Sequence, residues 1–382
     1  MMRDPRVLTW PWSPSSGRSR SSWFKRMSGA HKPYLSFLIF CLAVLMLTGV
    51  LNENFDLRKK SPMMRVECLT SKGDPSKLAV TAVTPTAWIK YQQKWRDLPL
   101  PVLTCYPMGR LGNVLGEYAT MYAIRYLYNV SVVVHPKMRK HITAIFPNIT
   151  LPDLPGTYTE NEWRSVTNIG SLYNYVPVEL AAAGLLGPNL FVMKNFAFEI
   201  HMFNQFRDEI RREFTLAPSY AAEVQAFLSN VTDTRRGTGH LDPVFVGFHV
   251  RRRDYADHAK RMFNATLPDA PYFARALAHF RKVFPGRAVF IAASDDVSFI
   301  TSRLGQHDDV YFAPGTSAML DLAVLSSCNH SIVTLGSYGF WSAYLTGGQV
   351  VYPDVRYYSE YRFSRYTYER SGVKHFTPLP VD

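Results

Sequence analysis

Three stretches of this chain hold residue types that could do chemistry together. His249-Val250-Arg251-Arg252-Arg253-Asp254-Tyr255 closes a strongly apolar run over 244–250. Arginines emerging from a buried strand are costly unless anions await them, and the guanidinium fork fits phosphate with two parallel bonds. Alternation along an extended chain places His249 and Arg251 on one side and Arg252 on the other. Asp254, Asp257 and His258 follow at once and could accept a proton, though Asp254 could equally pair with an arginine. The second stretch is Gly109-Arg110-Leu111-Gly112-Asn113, set between an apolar run and a helical pattern. Backbone N–H groups and a helix dipole converge on an anion at such a turn. The third runs from Asp321 to Gly348. Ser337, Tyr338 and Gly339 there offer hydroxyl and N–H donors at a helix start, and Asp321 on the preceding helix could cap it or receive the N–H donors of a purine.

Some chemistries lack their signatures. No Asp-x-Asp occurs, so the clamp of manganese-dependent sugar transferases is missing, and no metal site is expected. Ser294-Asp295-Asp296 is the nearest string, and it is expected to cap the helix that follows. Neither a nucleophile elbow nor a P-loop is present.

These stretches need strands to carry them. Apolar runs at 102–106, 130–134, 244–250, 288–293, 331–335 and 349–352 predict strands. Helical patterns near 112–128, 271–284, 318–327 and from 339 alternate with them. Such alternation predicts parallel α/β sheets, with ligands at the carboxyl ends of the strands. Two Rossmann-like lobes with a cleft between them are expected, 99–235 and 236–382. Between the two series the region 150–240 looks less regular, with a polar break at Thr232–Gly239. A short helix is expected over Trp88–Trp95.

The chain has 382 residues, 47% apolar and 14% aromatic, which excludes disorder, and neither heptads nor a disulfide framework is visible. Its formal net charge is +13, of which +6 lies in residues 1–32 (seven basic side chains against Asp4), leaving +7 elsewhere. A charge concentrated in a tail argues against a nucleic-acid binder. The remaining +7 favours acidic ligands such as nucleotide diphosphates. Residues 34–51 carry no charge over eighteen positions, about the minimum for a ~30 Å hydrocarbon core. A basic cytosolic tail over 1–33, a signal anchor over 34–51 in the bilayer and a proline-bearing stem over 52–98 are therefore expected. Five N-x-[ST] sequons follow the span. Asn129, Asn148, Asn230 and Asn264 are candidates for N-glycans, whereas Asn329 sits in an apolar stretch that would leave a glycan no room. Cys68, Cys105 and Cys328 lie beyond the span, an odd number that leaves the pairing open.

The strings GRLGNVLGEYAT, VGFHVRRRDY and SSCNHSIVTLGSYGFWSAYLTGG, in that order, resemble the α1,2-fucosyltransferases of glycosyltransferase family 11 over about residues 100–355. The resemblance implies a GT-B-like fold and a single-pass type II Golgi membrane protein with a lumenal body. It implies inverting transfer of L-fucose from GDP-β-L-fucose to a galactose-terminated glycan, with no metal or other cofactor. By position it assigns Arg251 to the donor pyrophosphate and Arg252 beside it, with His249 near the nucleotide. Asp321 would meet guanine and Ser337 a phosphate. Arg110 and Asn113 would face donor and acceptor, with Gly112, Tyr338 and Gly339 completing the donor site. The chain departs from the family at Arg253, usually glycine, and at Val114, usually glutamine. A fucosyltransferase of another linkage, or a lumenal glycan-binding protein without turnover, are the alternatives.

Overall fold

The computed structural model describes residues 89–166, 175–355 and 361–381. The expected anchor at 34–51, most of the stem and Cys68 lie outside them. No helix among the described residues is long and apolar enough to cross a membrane.

The described chain enters through a hairpin, Lys94–Trp95 (β1) antiparallel to Leu98–Pro99 (β2). This corrects the helix expected over Trp88–Trp95, for its described part. Arg96 and Asp97 take left-handed turn conformations (φ 46° and 67°), and Trp95 docks edge-on against Trp163 at 5.5 Å. A tight turn and a ring contact outweigh local helix propensity here.

Val102–Cys105 (β3), a wholly buried strand, leads into the eighteen-residue helix Leu111–Tyr128 (α1). Ser131–Val132 (β4), Pro136–Thr143 (α2), Arg164–Ser165 (β5), Val176–Ala182 (α3) and Leu190–Met193 (β6) follow. These strands form a four-stranded parallel sheet in the order β4-β3-β6-β5. Ile200–Phe203 (α4), Arg207–Glu213 (α5) and Pro218–Gly237 (α6) complete this half. The region that looked irregular thus supplies an inner strand and four helices. Most of the polar break at Thr232–Gly239 is the last turns of α6, which buries Val224, Val231 and Arg235 and packs Tyr220, Phe227 and Leu228 against the core.

Val244–Val250 (β7) opens the second half, with Asp254–Phe263 (α7), Ala270–Val283 (α8), Ala288–Ser294 (β8), Val297–Leu304 (α9) and Val310–Phe312 (β9). Ala318–Ser326 (α10), His330–Val333 (β10), Ser337–Tyr344 (α11), Val350–Pro353 (β11), Arg365–Arg370 (α12) and Phe376–Leu379 (β12) end it. A six-stranded parallel sheet results, in the order β12-β11-β10-β7-β8-β9. Both sheets are therefore parallel α/β sheets, as the alternating pattern predicts. β7 and β8 are buried continuous apolar strands, the mark of a sheet covered on both faces.

The two halves share one apolar core. Phe198 and Phe203 from the first meet Phe340 and Trp341 from α11, with Phe203 stacked on Trp341 at 5.5 Å. Each such ring pair adds about 0.5–1.5 kcal/mol beyond the burial of area. Arg207 and Arg211 of α5 donate to the carbonyls of Tyr344 and Leu345, so cations from the first half cap the negative end of α11. This packing fixes the opposite end of α11, where the candidate site lies.

Candidate active site

β7 carries its side chains to the sheet edge as alternation requires. His249 is buried beneath α11, with its ring 5.0 Å from that of Tyr338. A Cβ on Gly339 would lie 2.6 Å from His249 Nδ1, so glycine at 339 is what admits the imidazole. Burial first, and the Arg251 charge second, hold the His249 pKa down to about 3. The ring is neutral at physiological pH, and its buried Nδ1 has no hydrogen-bond partner among the described residues.

Arg251 follows on the strand end. Its backbone N–H donates to Thr334 Oγ1 at 2.8 Å, and its guanidinium is largely enclosed. One Nη2–H donates to Asp254 Oδ1 at 2.6 Å, and Nη1 meets Asp295 Oδ2. The guanidinium also lies over the Tyr255 ring. Arg252 turns the other way and stacks on Phe299, 3.9 Å from the ring centroid. Arg253 adopts φ 32°, ψ −125°, a left-handed conformation suited to glycine, so an arginine there carries backbone strain.

The glycine turn after β3 meets the same place. Arg110 is the N-cap of α1, and its exposed guanidinium lies 3.9 Å from Asp254 Oδ2. Asn113 stands in the first turn, its N–H donating to the Arg110 carbonyl. Gly112 brings the two halves together, because a Cβ there would come within 2.6 Å of the Tyr338 nitrogen and 2.9 Å of Ser337 Oγ. The N-terminus of α1 therefore abuts that of α11, and both positive helix ends face one region. Tyr338 Oη donates to the Ala318 carbonyl at 2.6 Å and ties α11 to α10. Asp321 lies in the first turn of α10 and accepts the Gly315 N–H at 3.0 Å; burial raises its pKa, an effect that this bond partly offsets.

The structure thus links Arg110, Asp254 and Arg251 in one charged chain, and Gly112, Ser337, Tyr338, Gly339 and His249 in one packed group. Asp321 joins through Tyr338. Asp257 and His258 stand exposed on α7, His258 with its ring 5.2 Å from that of Tyr255.

Three participants escaped the sequence reading. Asp295 was expected to cap a helix together with Asp296. In the structure only Asp296 does so, accepting the Phe299 N–H at 3.1 Å, while Asp295 turns back to Arg251 and accepts the Arg252 N–H at 2.8 Å. Tyr361 bonds Tyr255 Oη at 2.6 Å and accepts the Gly336 N–H at 2.9 Å, bridging the arginine strand and the α11 turn. Glu117, wholly buried in α1, accepts the Met108 N–H just before the glycine turn. Burial raises its pKa to about 9, against the pull of that N–H and of Arg362.

Of the sequons, Asn129, Asn148, Asn230 and Asn264 are exposed. Asn329 is exposed as well, which corrects the packing argument against it. What occupies it is a bond, its Oδ1 accepting the Phe245 N–H at 2.9 Å. Cys105 and Cys328 are buried, and among the described residues they form no disulfide.

An enclosed arginine and two helix N-termini meet at the strand ends of this parallel α/β chain, a chemistry that suits an anionic group. The chain belongs to glycosyl transferase family 11, whose model matches residues 75–370. It is 31% identical over 335 residues to human galactoside alpha-(1,2)-fucosyltransferase 1, covering 83% of this chain and 86% of that one. To the enzyme of the same description from Gorilla gorilla gorilla it is 34% identical over 302 residues, covering 78% of this chain and 77% of that one. Among solved structures, the alpha-1,6-fucosyltransferase NodZ soaked with GDP-fucose matches with a TM-score of 0.39 at 15% identity, over 64% of this chain and 91% of that one. A mutant of Arabidopsis thaliana FUT1 in complex with GDP matches with a TM-score of 0.44 at 10% identity, over 67% of this chain and 71% of that one.

Proposed function

We propose that this glycosyltransferase moves L-fucose from GDP-β-L-fucose to O2 of a terminal galactose on glycoprotein or glycolipid glycans, inverting the fucose carbon. The observation that carries the reading is the convergence of Arg251, Arg110 and the N-termini of α1 and α11 in a chain of family 11. The bond between the fucose carbon and the β-phosphate oxygen breaks, and its electron pair leaves with GDP. Arg251 and the two helix ends meet that growing charge, the task a divalent ion performs in manganese-dependent transferases. The acceptor O2 bonds to the same carbon from the opposite face and gives its proton to Asp254.

Asp254 suits that role because its partners are themselves anion binders. It rests on Arg251 and near Arg110. A diphosphate that engages Arg251 competes for the same guanidinium, releasing an exposed carboxylate toward the acceptor. His249, neutral and enclosed, offers Nδ1 beside α11 without adding charge, and Asp321 suits the N–H donors of guanine. Arg252 supports the turn through Phe299. With 34–51 as a signal anchor, the body belongs in the Golgi lumen, where galactose-terminated glycans and GDP-fucose meet.

The test is product analysis. Purified full-length protein, GDP-[fucose-14C] and β-galactosides are incubated with and without EDTA. Product that a linkage-specific α1,2-fucosidase opens, formed equally in EDTA, is the expected result; another linkage, or activity lost in EDTA and restored by manganese, contradicts it.

A further inference from the structure

We propose that Phe196 is the aromatic floor on which the pyranose ring of the acceptor sugar lies. The inference rests on the galactoside-fucosyltransferase reading and adds a residue to it.

β6 ends at Met193, beside β3, whose own carboxyl end leads to the glycine turn. The next residues break a rule of backbone geometry. Asn195 and Phe196 are consecutive left-handed residues, with φ 60° and 58°. For a bulky residue such as phenylalanine this is an outlier that costs about 1–3 kcal/mol, and it persists only where the surroundings enforce it. Two contacts hold it in place. The Asn195 N–H donates to Met108 Sδ at 3.2 Å, and Phe196 Cε1 lies 2.9 Å from where a Cβ on Gly109 would stand. The Asn113 side chain crowds the same point of Gly109. The ring is therefore next to the turn that bears Arg110 and Asn113.

That strain does not bury the ring. Phe196 is 37% exposed, while the adjacent Ala197 and Phe198 are 2% and 1% exposed. A strained backbone that leaves more than a third of an apolar ring open is explained by an incoming apolar face, since ligand sites set aromatic rings among placed polar groups. The turn beside the ring is polar: it bears the Asn113 side chain and the exposed Arg110 guanidinium. An aromatic face beside an amide and a guanidinium matches one ligand chemistry well. A galactopyranose has a C–H face that lies on a ring's negative π-face and a rim of hydroxyls that meet charged groups. A phosphate would gain nothing from the ring; a nucleobase could stack on it, and an effect of the ring's removal on GDP affinity distinguishes that case.

The experiment uses the purified full-length protein and lactose as the probe acceptor. Phe196→Ala, Phe196→Gly and Phe196→Tyr are compared for acceptor KM, GDP-fucose KM, acceptor-free GDP-fucose hydrolysis and GDP affinity by calorimetry. Phe196→Ala and Phe196→Gly are expected to raise the acceptor KM by roughly tenfold or more, with GDP affinity and hydrolysis changed by less than about twofold. Phe196→Tyr, which keeps the ring, stays near the parent. Phe196→Gly also relieves the left-handed strain, so it melts no lower than the parent while binding acceptor worse, a split that a merely structural residue would not show. Acceptor KM unchanged in both truncations, or acceptor and donor KM rising together, overturns the inference. A parent that hydrolyses GDP-fucose yet fucosylates no galactoside overturns the functional reading, and the inference with it.

Discussion

Arg251 and Asp295 close the ends of two neighbouring parallel strands. The guanidinium at the end of β7 meets Asp295 Oδ2 just past β8, and the other carboxylate oxygen takes the Arg252 N–H at 2.8 Å. One carboxylate thus fixes both the direction of the arginine side chain and the path of the backbone that bears it. Asp254 holds the opposite side of Arg251 from an exposed position, with 64% of its side chain open to solvent against 24% for Asp295. The enclosed partner is the brace, and the exposed partner is the one a diphosphate can displace.

Asp295→Asn keeps an acceptor for the Arg252 N–H and removes the charge from Arg251. Turnover is expected to fall about tenfold with a raised GDP-fucose KM, while the protein stays folded. Asp295→Ala leaves the Arg252 N–H unanswered and destabilises by a further ~1–3 kcal/mol. Steady-state kinetics alongside urea melts separate the two effects; parental kinetics in the asparagine variant would show that Arg251 needs no brace.

Arg253→Gly should stabilise. Its φ of 32° with ψ of −125° costs arginine about 1–3 kcal/mol that glycine does not spend. The side chain is exposed, so little contact is lost. A higher melting temperature with activity within a few-fold of the parent is expected. A lower melting temperature would mean that Arg253 makes contacts worth more than its strain.

Glu117 gives a pH signature. Its folded pKa of about 9 lies above the ordinary carboxylate value of 4.5, so between those values the folded state binds more protons than the unfolded one. Stability from this group is fully present below pH 4.5 and lost as pH rises toward 9. The slope approaches about 1.4 kcal/mol per pH unit as an upper bound. Glu117→Gln keeps an acceptor for Met108 and cannot ionise, so its melting temperature should change less than the parent's between neutral pH and 9. Parallel curves for parent and variant would contradict this. His249 has the opposite sign: with a folded pKa of about 3 against 6.5, its contribution is present above 6.5 and lost as pH falls toward 3.

Much of this was legible in the sequence because parallel strands buried on both faces leave continuous apolar runs. Those at 244–250 and 288–293 stand almost where they were expected. The glycine turn and the arginine strand end were legible because anion sites need particular residue types close together. β6 was not, since LFVM has only four residues and no alternation to count. Asp295 was misread because its partners lie 43 residues away, and the local Ser-Asp-Asp pattern favours a cap. The placement of Phe196 has no local signature either, because its strain is imposed by Met108 and Gly109 from a different strand end.

The central claim is that Arg251 meets the charge on departing GDP, and Arg251→Ala tests it most directly. A charge-assisted bond is worth ~1.5–3 kcal/mol, and more in a water-excluded site, so kcat/KM for fucose transfer should fall at least ~100-fold with melting little changed. Arg251→Lys should recover little, because an ammonium does not reproduce the planar fork. A folded Arg251→Ala protein with nearly parental kcat/KM, beside an inactive Arg253→Ala, would contradict the account and move the anion contact to Arg253.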